Sequence, residues 1–507
     1  MTGERDSWRD WWWLLLMTPM VASAWVRGLW APDEPRYAQV AREIFDGGSF
    51  LVMHLCGDVY PDKPPLLYWL SGLSGWLGGW SELALRLPSL VATAATAWLV
   101  ARLARRWWGG SAARWAPAIL LTTFMVTEIG GRLQIDPLLA FLCTLALDLA
   151  TLPADSDRAR MLSLLAAGGA TGLGALAKGP VALVNVGLVL LLWGWLGPAG
   201  SIPRRSPGTW LGAGLLAVIP VLAWAAAATV VEPALAQELF FDQHVGRVTQ
   251  GDRHPGPIWK HLVRMPLLLL PWTWLVLAGL RRAAGFRRDR REGTASDDGV
   301  ALAALWLLGL LVFYSVIPPK RDLYLLPAYP AAALLGARAL AEARLRGSLH
   351  RAVAILTPLV PMAAGMVFVA APLILPAVEV PAEARPLVPQ MSWRMPLVGA
   401  PLVAAMAVAL AAGRRRPARW ALSVTIGWAL FATLLTLLLF PLVDPLKSAR
   451  NLAHDIARLP RADGDIPCFG VQPEGYRFYG GIPTVRGGED LLRTVERMDP
   501  GGLILIQ

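Results

Sequence analysis

The chain has 507 residues, 55% of them hydrophobic and 16% charged, with a formal net charge of +11. A water-soluble chain of this length would cover its core with more charge, so a soluble globular protein is excluded. The arginines sit in short patches between apolar runs, as membrane topology requires, and not on one face as nucleic-acid binding would need. The three cysteines, Cys56, Cys143 and Cys468, form no metal-binding or redox spacing. Cys56 and Cys468 both fall on the same expected side, where a disulfide between them is one pairing open to them.

After the charged head Met1–Asp10 the first apolar run is Trp11–Trp30. It is too long and tryptophan-rich for a cleaved signal peptide and is read as a retained span. Hydropathy gives about thirteen spans, each of about 20 residues. The others are Leu87–Trp107, Arg114–Glu128, Leu133–Leu152, Met161–Ala177, Pro180–Leu196, Thr209–Val231, Leu262–Leu280, Val300–Ile317, Tyr324–Ala343, Ala352–Ala377, Pro396–Ala412 and Trp420–Val443. The fold class is an all-α polytopic membrane protein.

Alternate connections differ in charge. One set is short and basic: Arg102, Arg105 and Arg106; Arg158 and Arg160; Arg204 and Arg205; Arg281 to Arg291; Arg344 and Arg346; Arg414 to Arg419. These are expected to be cytoplasmic, together with the N-terminus. The other set is expected to be external: Ala31–Arg86, Glu128–Arg132, the Lys178 turn, Val231–His261, Pro318–Asp322, Val378–Met395 and everything from Asp444. Residues 1–443 thus form a transmembrane unit, with long external loops at 31–86 and 232–261. Residues 444–507 alternate short apolar runs with a helical stretch around Asp490–Met498 and read as a small external α/β domain. It stops at Gln507 inside a strand-like run, which leaves its completeness open. Arg287–Gly299 reads as a charged cytoplasmic linker.

The first external loop begins APDEPRYAQVAREIFDGG from Ala31. Asp33 reads as an N-cap and Pro35 fits a first turn. Tyr37, Val40, Ala41, Ile44 and Phe45 then make the apolar stripe of an interfacial helix. Asp33 and Glu34 at the helix N-terminus are general-base candidates. An ordinary helix cap is the alternative for Asp33. Tyr60-Pro61-Asp62-Lys63-Pro64-Pro65 reads as a rigid corner leading into a second interfacial segment, Leu66–Trp80. Lys63 is either a phosphate ligand or a snorkelling lysine.

Further charges lie at external span ends. Asp136, in Arg132-Leu-Gln-Ile-Asp136-Pro137, is a functional candidate, or else a partner of Arg132 or a cap. Lys178 in Ala-Lys-Gly-Pro is an active-site cation or an anchored turn. The stretch 240–259 carries His244, Arg247, Arg253 and His254. With Asp62 or Glu34 these could ligate a divalent metal, although no HExxH spacing is present. Lys320 and Arg321 break the positive-inside pattern on an external turn, which suggests anion binding. Tyr324 follows them, as a site phenol or an aromatic-belt residue.

Taken in order, DEPRYA, DKPPL-YW, an Asp-Pro at a span end, AKGP, a His/Arg loop ahead of a Pro-Trp span, and Lys-Arg-Tyr before Leu-Pro resemble one family over about the first 340 residues. The chain resembles the bacterial aminoarabinose–lipid A transferases and the related protein O-mannosyltransferases of the GT-C class of polyprenyl-phosphate-sugar glycosyltransferases. The resemblance implies that Asp33 is an essential first-loop aspartate, with Glu34 and Arg36 beside it, and that Asp136 is a second. It implies that Lys63 and Tyr324 contact the lipid phosphate, with Lys320 and Arg321 nearby, and Tyr60, Lys178 and Arg247 contributing to the donor site. Asp62 and His254 fall where aminoarabinose transferases can hold a metal ion, zinc or magnesium. Asp62 stands where a glutamate is usual in that family.

The implied donor is a sugar on undecaprenyl (polyprenyl) phosphate, and the implied acceptor is lipid A, another envelope glycan or lipid, or a protein hydroxyl. Attack opposite the leaving phosphate inverts configuration, with cations stabilising the charge that builds on that phosphate. Nucleic acid is not an expected partner, membrane lipids are, and a monomer is expected. The expected location is the bacterial cytoplasmic (inner) membrane with the site on the periplasmic face. A transporter or flippase of lipid-linked sugars is the alternative, but no pseudo-repeat with broken midplane helices is visible in the sequence.

Overall fold

The computed structural model describes residues 8–506 apart from 154, 198–205, 238–255, 285–296, 319, 343–347, 460–465, 470–471 and 487–504. Among the described residues, eight helices are long and apolar enough to cross a membrane, or nine if one sharply bent pair is a single span. The chain is a multi-pass membrane protein.

The other apolar segments expected to span are shorter or broken, for local reasons. Trp11–Trp30 is a 3-10 helix, Trp8–Met17, running into α1 (Thr18–Val26) and ending at Arg27. Arg114–Glu128 divides into α5 (Gly110–Leu121) and α6 (Phe124–Ile129). At the break, the hydroxyls of Thr122 and Thr123 donate back to the carbonyls of Ala118 and Ile119, which loosens the helical ladder. Leu262–Leu280 bends by 118° between helices Lys260–Leu268 and Thr273–Ala284. Pro271 lies in that bend and has no N–H to continue a helix. α7 (Ile135–Ala150) and α9 (Val181–Leu196) have 16 residues each, and α7 is almost wholly buried.

The helices that position the site are α4 (Glu82–Trp108), α7, α8 (Asp157–Lys178), α9 and α10 (Pro207–Val231). The hydroxyls of Ser81, Ser156 and Ser206 cap α4, α8 and α10, accepting N–H bonds from Ala84, Ala159 and Thr209. α8 and α10 meet at glycines. A Cβ on Gly168 would lie 2.2 Å from the Ala213 carbonyl oxygen, and one on Gly172 2.3 Å from that of Leu216. Such close backbone approach is how membrane helices gain contact without a hydrophobic driving force.

α2 (Asp33–Phe45) corrects the cap and the interfacial expectation together. Asp33 is the first helical residue, preceded by Pro32, and its side chain makes no capping bond. The stripe Tyr37, Val40, Ala41 and Ile44 is buried against protein, not lipid. Tyr37 meets Tyr68 of α3 (Leu66–Leu77) edge to face at 5.7 Å, and Phe45 packs over Gly72. It is α3 whose outer face, with Leu73, Trp76 and Leu77, stays exposed. Between the two helices, β1 (His54–Leu55) and β2 (Asp58–Val59) form a tight hairpin. Its turn residues Cys56 and Gly57 both have positive φ, and their N–H groups donate to the Glu43 carboxylate.

Past Asp444 the chain forms a parallel sheet in the order β4 (Thr484–Arg486), β3 (Ile466–Phe469), β5 (Leu505–Ile506), with helix Pro473–Gly480 between β3 and β4. That helix lies on α2. Arg36 pairs with Glu474 at 3.4 Å, and the Arg42 guanidinium donates to the Phe478 carbonyl at 2.8 Å. Cys468 is buried beside Glu474 and is not joined to Cys56. The expected helix around Asp490–Met498 lies outside the described residues.

Candidate active site

The Asp-Glu pair that opens α2 has two separate fates. Glu34 is 2% exposed and accepts five hydrogen bonds. Arg86 of α4 grips both of its oxygens, at 2.8 and 2.9 Å, and Arg27 adds a third guanidinium bond at 3.1 Å. The backbone N–H groups of Trp30 and Leu133 complete the set, each at 3.0 Å. Burial by itself would raise this carboxyl, but Arg86 and Arg27 outweigh it and hold Glu34 down at about 2. A carboxylate so saturated is a structural knot joining α1, α2, α4 and the start of α7. The general-base expectation for Glu34 does not fit it.

Asp33, one residue earlier, points the other way. Its Oδ2 accepts from the Arg321 guanidinium at 2.6 Å and from the Gln134 side-chain amide at 3.1 Å. Burial opposes ionisation here too, and Arg321 outweighs it, holding Asp33 below the usual carboxylate range. Oδ1 accepts no hydrogen bond from the described residues. Asp33 therefore carries one oxygen fixed by a cation and one available to an incoming group.

A second carboxylate–cation pair stands next to the first. Asp136, in the first turn of α7, pairs with Lys178 at the last turn of α8. The helix dipoles favour both: an anion at an N-terminus and a cation at a C-terminus. Gly179, with φ of +86°, and Pro180 turn the chain straight into α9. The Lys178 ammonium also lies 4.5 Å from the centre of the Tyr324 ring, within cation–π range. Asp136 does not pair with Arg132, which instead meets Glu128 one helical turn away.

Around these pairs lie Arg36 and Tyr60. Arg36 is within electrostatic reach of Tyr60, Glu474, Asp33 and Asp62. Burial raises the Tyr60 and Tyr37 phenols well above their ordinary value, so both stay neutral. Lys63 sits half-buried at the corner between β2 and α3. Thus Asp33, Asp136, Lys178, Arg321 and Tyr324, from four separate stretches of chain, converge, with Arg36, Tyr60 and Asp62 alongside.

Lys320 departs from its expected role. It is 3% exposed, and its ammonium donates to the carbonyls of Tyr314 and Ile317 at the end of helix Asp298–Val316. A cation there caps a helix C-terminus, so of the Lys-Arg couple it is Arg321 that reaches the carboxylate. Arg247 and His254 lie outside the described residues. Among the described residues no three His, Cys, Asp or Glu side chains gather to hold a metal ion. Asp62 lies within electrostatic reach of Arg36.

Sequence reasoning passed over Gln134, Arg27 and Arg86. Arg27 inside the first apolar run and Arg86 at the start of the second both break the positive-inside trend. Two buried cations on the side expected to be external call for a buried anion, and that signal points to Glu34.

Comparisons with known proteins show what the whole chain is similar to. Residues 62–224 match the family model described as dolichyl-phosphate-mannose-protein mannosyltransferase. Among curated proteins, an undecaprenyl phosphate-alpha-4-amino-4-deoxy-L-arabinose arabinosyl transferase of Pseudomonas aeruginosa is 34% identical over 330 residues, covering 63% of this chain and 57% of that protein. A protein of the same description from Sodalis glossinidius is 33% identical over 319 residues, covering 61% and 54%. The matched region thus spans little more than half the length of these relatives. The crystal structure of ArnT from Cupriavidus metallidurans in the apo state superposes with a TM-score of 0.76 at 21% identity, over 99% of this chain and 90% of that one. The structure of the same protein bound to undecaprenyl phosphate gives 0.76 at 22% identity, over 97% and 88%. The family model and the curated relatives carry the resemblance read from the sequence, and the chain has the ArnT fold.

Proposed function

We propose that this chain is an inverting glycosyltransferase that moves a sugar from an undecaprenyl phosphate carrier to an acceptor on the external, periplasmic face of the bacterial inner membrane. The observation that carries the reading is the pair of carboxylate–cation couples, Asp33–Arg321 and Asp136–Lys178, set side by side at one end of the spans. The match to arabinosyl transferases supports it. So does the shared fold with a protein whose structure was determined with undecaprenyl phosphate.

In this reading the donor phosphate is drawn to Arg321, Lys178, Arg36 and Lys63, with the Tyr324 phenol beside them. Phosphate binding shares the Arg321 charge that otherwise neutralises Asp33. Asp33 thereby gains basicity when the donor is in place. The acceptor oxygen attacks the anomeric carbon from the face opposite the phosphate. The carbon–oxygen bond to the phosphate breaks, and its electron pair goes to the phosphate oxygen, where the cations stabilise it. An acceptor hydroxyl gives its proton to Asp33 Oδ1, while an ionised phosphate acceptor brings no proton. Asp136 keeps Lys178 in place.

The proposal extends to acceptors of the envelope: lipid A, another glycan or lipid, or a protein hydroxyl. It includes an N-terminus in the cytoplasm, thirteen crossings when the short and bent helices are counted, an external α/β unit past Asp444, and a monomeric enzyme. For a divalent cation, zinc or magnesium, Asp62 and His254 are the proposed ligands, and transfer before and after EDTA dialysis is the measurement. The decisive variant is Asp33→Asn. Membranes containing it and supplied with an undecaprenyl-phosphate sugar should form no product while holding normal amounts of protein. Full activity in that variant would remove Asp33 from the mechanism.

A further inference from the structure

The three side chains that lead into the 3-10 helix Asp322–Ala328 leave in three directions. The Lys320 ammonium turns back onto the carbonyls of Tyr314 and Ile317. Arg321 reaches Asp33 at 2.6 Å. Asp322 turns to helix Lys260–Leu268, where its Oδ2 pairs with Arg264 at 2.9 Å and its Oδ1 stands 3.7 Å from Nδ1 of the buried His261. No step of the proposed reaction uses Asp322, His261 or Arg264.

The same stretch of chain holds the backbone of the turn. Lys260 Nζ donates to the Lys320 carbonyl at 2.7 Å, at the peptide that leads into Arg321. Gly256 packs on the Lys320 side chain, so closely that a Cβ there would lie 3.0 Å from Lys320 Cγ. Arg321 is thus bracketed: the residue before it and the residue after it are both tied to segment 256–264. The Arg321 carbonyl accepts the Tyr324 N–H at 3.1 Å, so the turn places Tyr324 as well.

An arginine in this role needs such a bracket. Its side chain has many rotamers to lose, and that of Arg321 is 27% exposed, so burial does not fix it. Asp33 holds the guanidinium until a donor phosphate shares its charge. The fork must then meet the phosphate from a fixed backbone, because a displacement of about 1 Å can cost about a hundredfold in rate. We infer that Asp322, anchored to Arg264 and His261, is a positioning residue for Arg321 and sets the affinity for the lipid phosphate through that guanidinium. The inference rests on donor binding at Arg321, as proposed above. Its sign separates it from a bystander charge. Asp322 is an anion one residue from Arg321, so removing its charge would by Coulomb's law favour a bound phosphate. Removing a positioning group disfavours it.

The test is titration of the purified full chain in nanodiscs with undecaprenyl phosphate, with retained lipid read by native mass spectrometry. Asp322→Asn should bind it about fivefold more weakly, within the range that coupled neighbours show. Arg264→Gln should bind it about twofold more weakly, as the loss of a half-exposed ion pair allows. Placed in Arg321→Ala, neither substitution should weaken binding further, since each acts through a guanidinium that is already gone. Binding by Asp322→Asn as tight as the wild type, or tighter, would overturn the inference. So would losses that add to that of Arg321→Ala, which would mark a general structural role. Should Asp322→Asn not fold, Arg264→Gln decides by the same two criteria. Wild-type affinity in Arg321→Ala would instead overturn the donor site itself, and this inference with it.

Discussion

Replacing Glu34 by alanine should damage the fold more than the chemistry. The substitution removes the carboxylate that pairs with Arg27 and Arg86, both at most 1% exposed. The magnitude follows from the carboxyl itself, which is held at about 2 against an ordinary value of 4.5. At about 1.4 kcal/mol per pKa unit that is roughly 3 kcal/mol of interaction. Breaking a buried pair by deleting one partner costs about 3–5 kcal/mol, in the same range. For a chain this size the melting temperature should fall by on the order of 3–5 °C. Fluorescence-detected size exclusion after heating in detergent, run beside Asp33→Asn, reads the difference. Asp33→Asn should melt above Glu34→Ala and transfer no sugar. If Glu34→Ala melts like the wild type yet loses all turnover, the separation of one structural and one reactive carboxylate is wrong.

Arg321→Ala should weaken donor binding and depress turnover by about tenfold or more, as expected when a cation is taken from a developing phosphate charge; a purely structural Arg321 would leave the KM for the lipid donor unchanged. Gly168→Val should destabilise by about 1–3 kcal/mol, because its Cβ meets the Ala213 backbone and not a movable side chain; a wild-type melting curve would contradict the α8–α10 contact. Acid should loosen the protein in a defined direction: both first-loop carboxylates are held below their ordinary values, so the stability they add is complete above about pH 4.5 and is lost as pH falls from there toward 2. Glu34→Gln should flatten that acid limb of a melting-against-pH curve, and an unaltered limb would assign the acid sensitivity elsewhere.

Much of the site was legible in the sequence because polar groups at membrane boundaries have few innocent explanations. Asp136, Lys178, Arg321 and Tyr324 stand out against apolar runs or break a charge rule, and the structure brings them together. The division of labour between Asp33 and Glu34 was not legible. Neighbours on a helix point about 100° apart, and which one meets Arg86 is decided by a helix that starts 48 residues later, at Glu82. Lys320 and Arg321 pose the same problem, since only the path of the turn shows which ammonium or guanidinium caps carbonyls. Hydropathy found the apolar segments, but it cannot see a bend at Pro271 or a threonine-loosened break at Thr122. Nor does amphipathicity reveal its partner: the stripe of α2 fits a bilayer surface as well as it fits α3, and the protein took that face for itself.

The central claim is that a bond to a lipid phosphate is broken here. Its most direct test is the purified chain in lipid nanodiscs, given an undecaprenyl-phosphate sugar and candidate acceptors, with all lipids followed by mass spectrometry. The account predicts free undecaprenyl phosphate appearing in step with a sugar-bearing acceptor, and neither appearing with Asp33→Asn. Intact donor recovered in full, while the same chain in sealed vesicles moves that donor between leaflets, would contradict it.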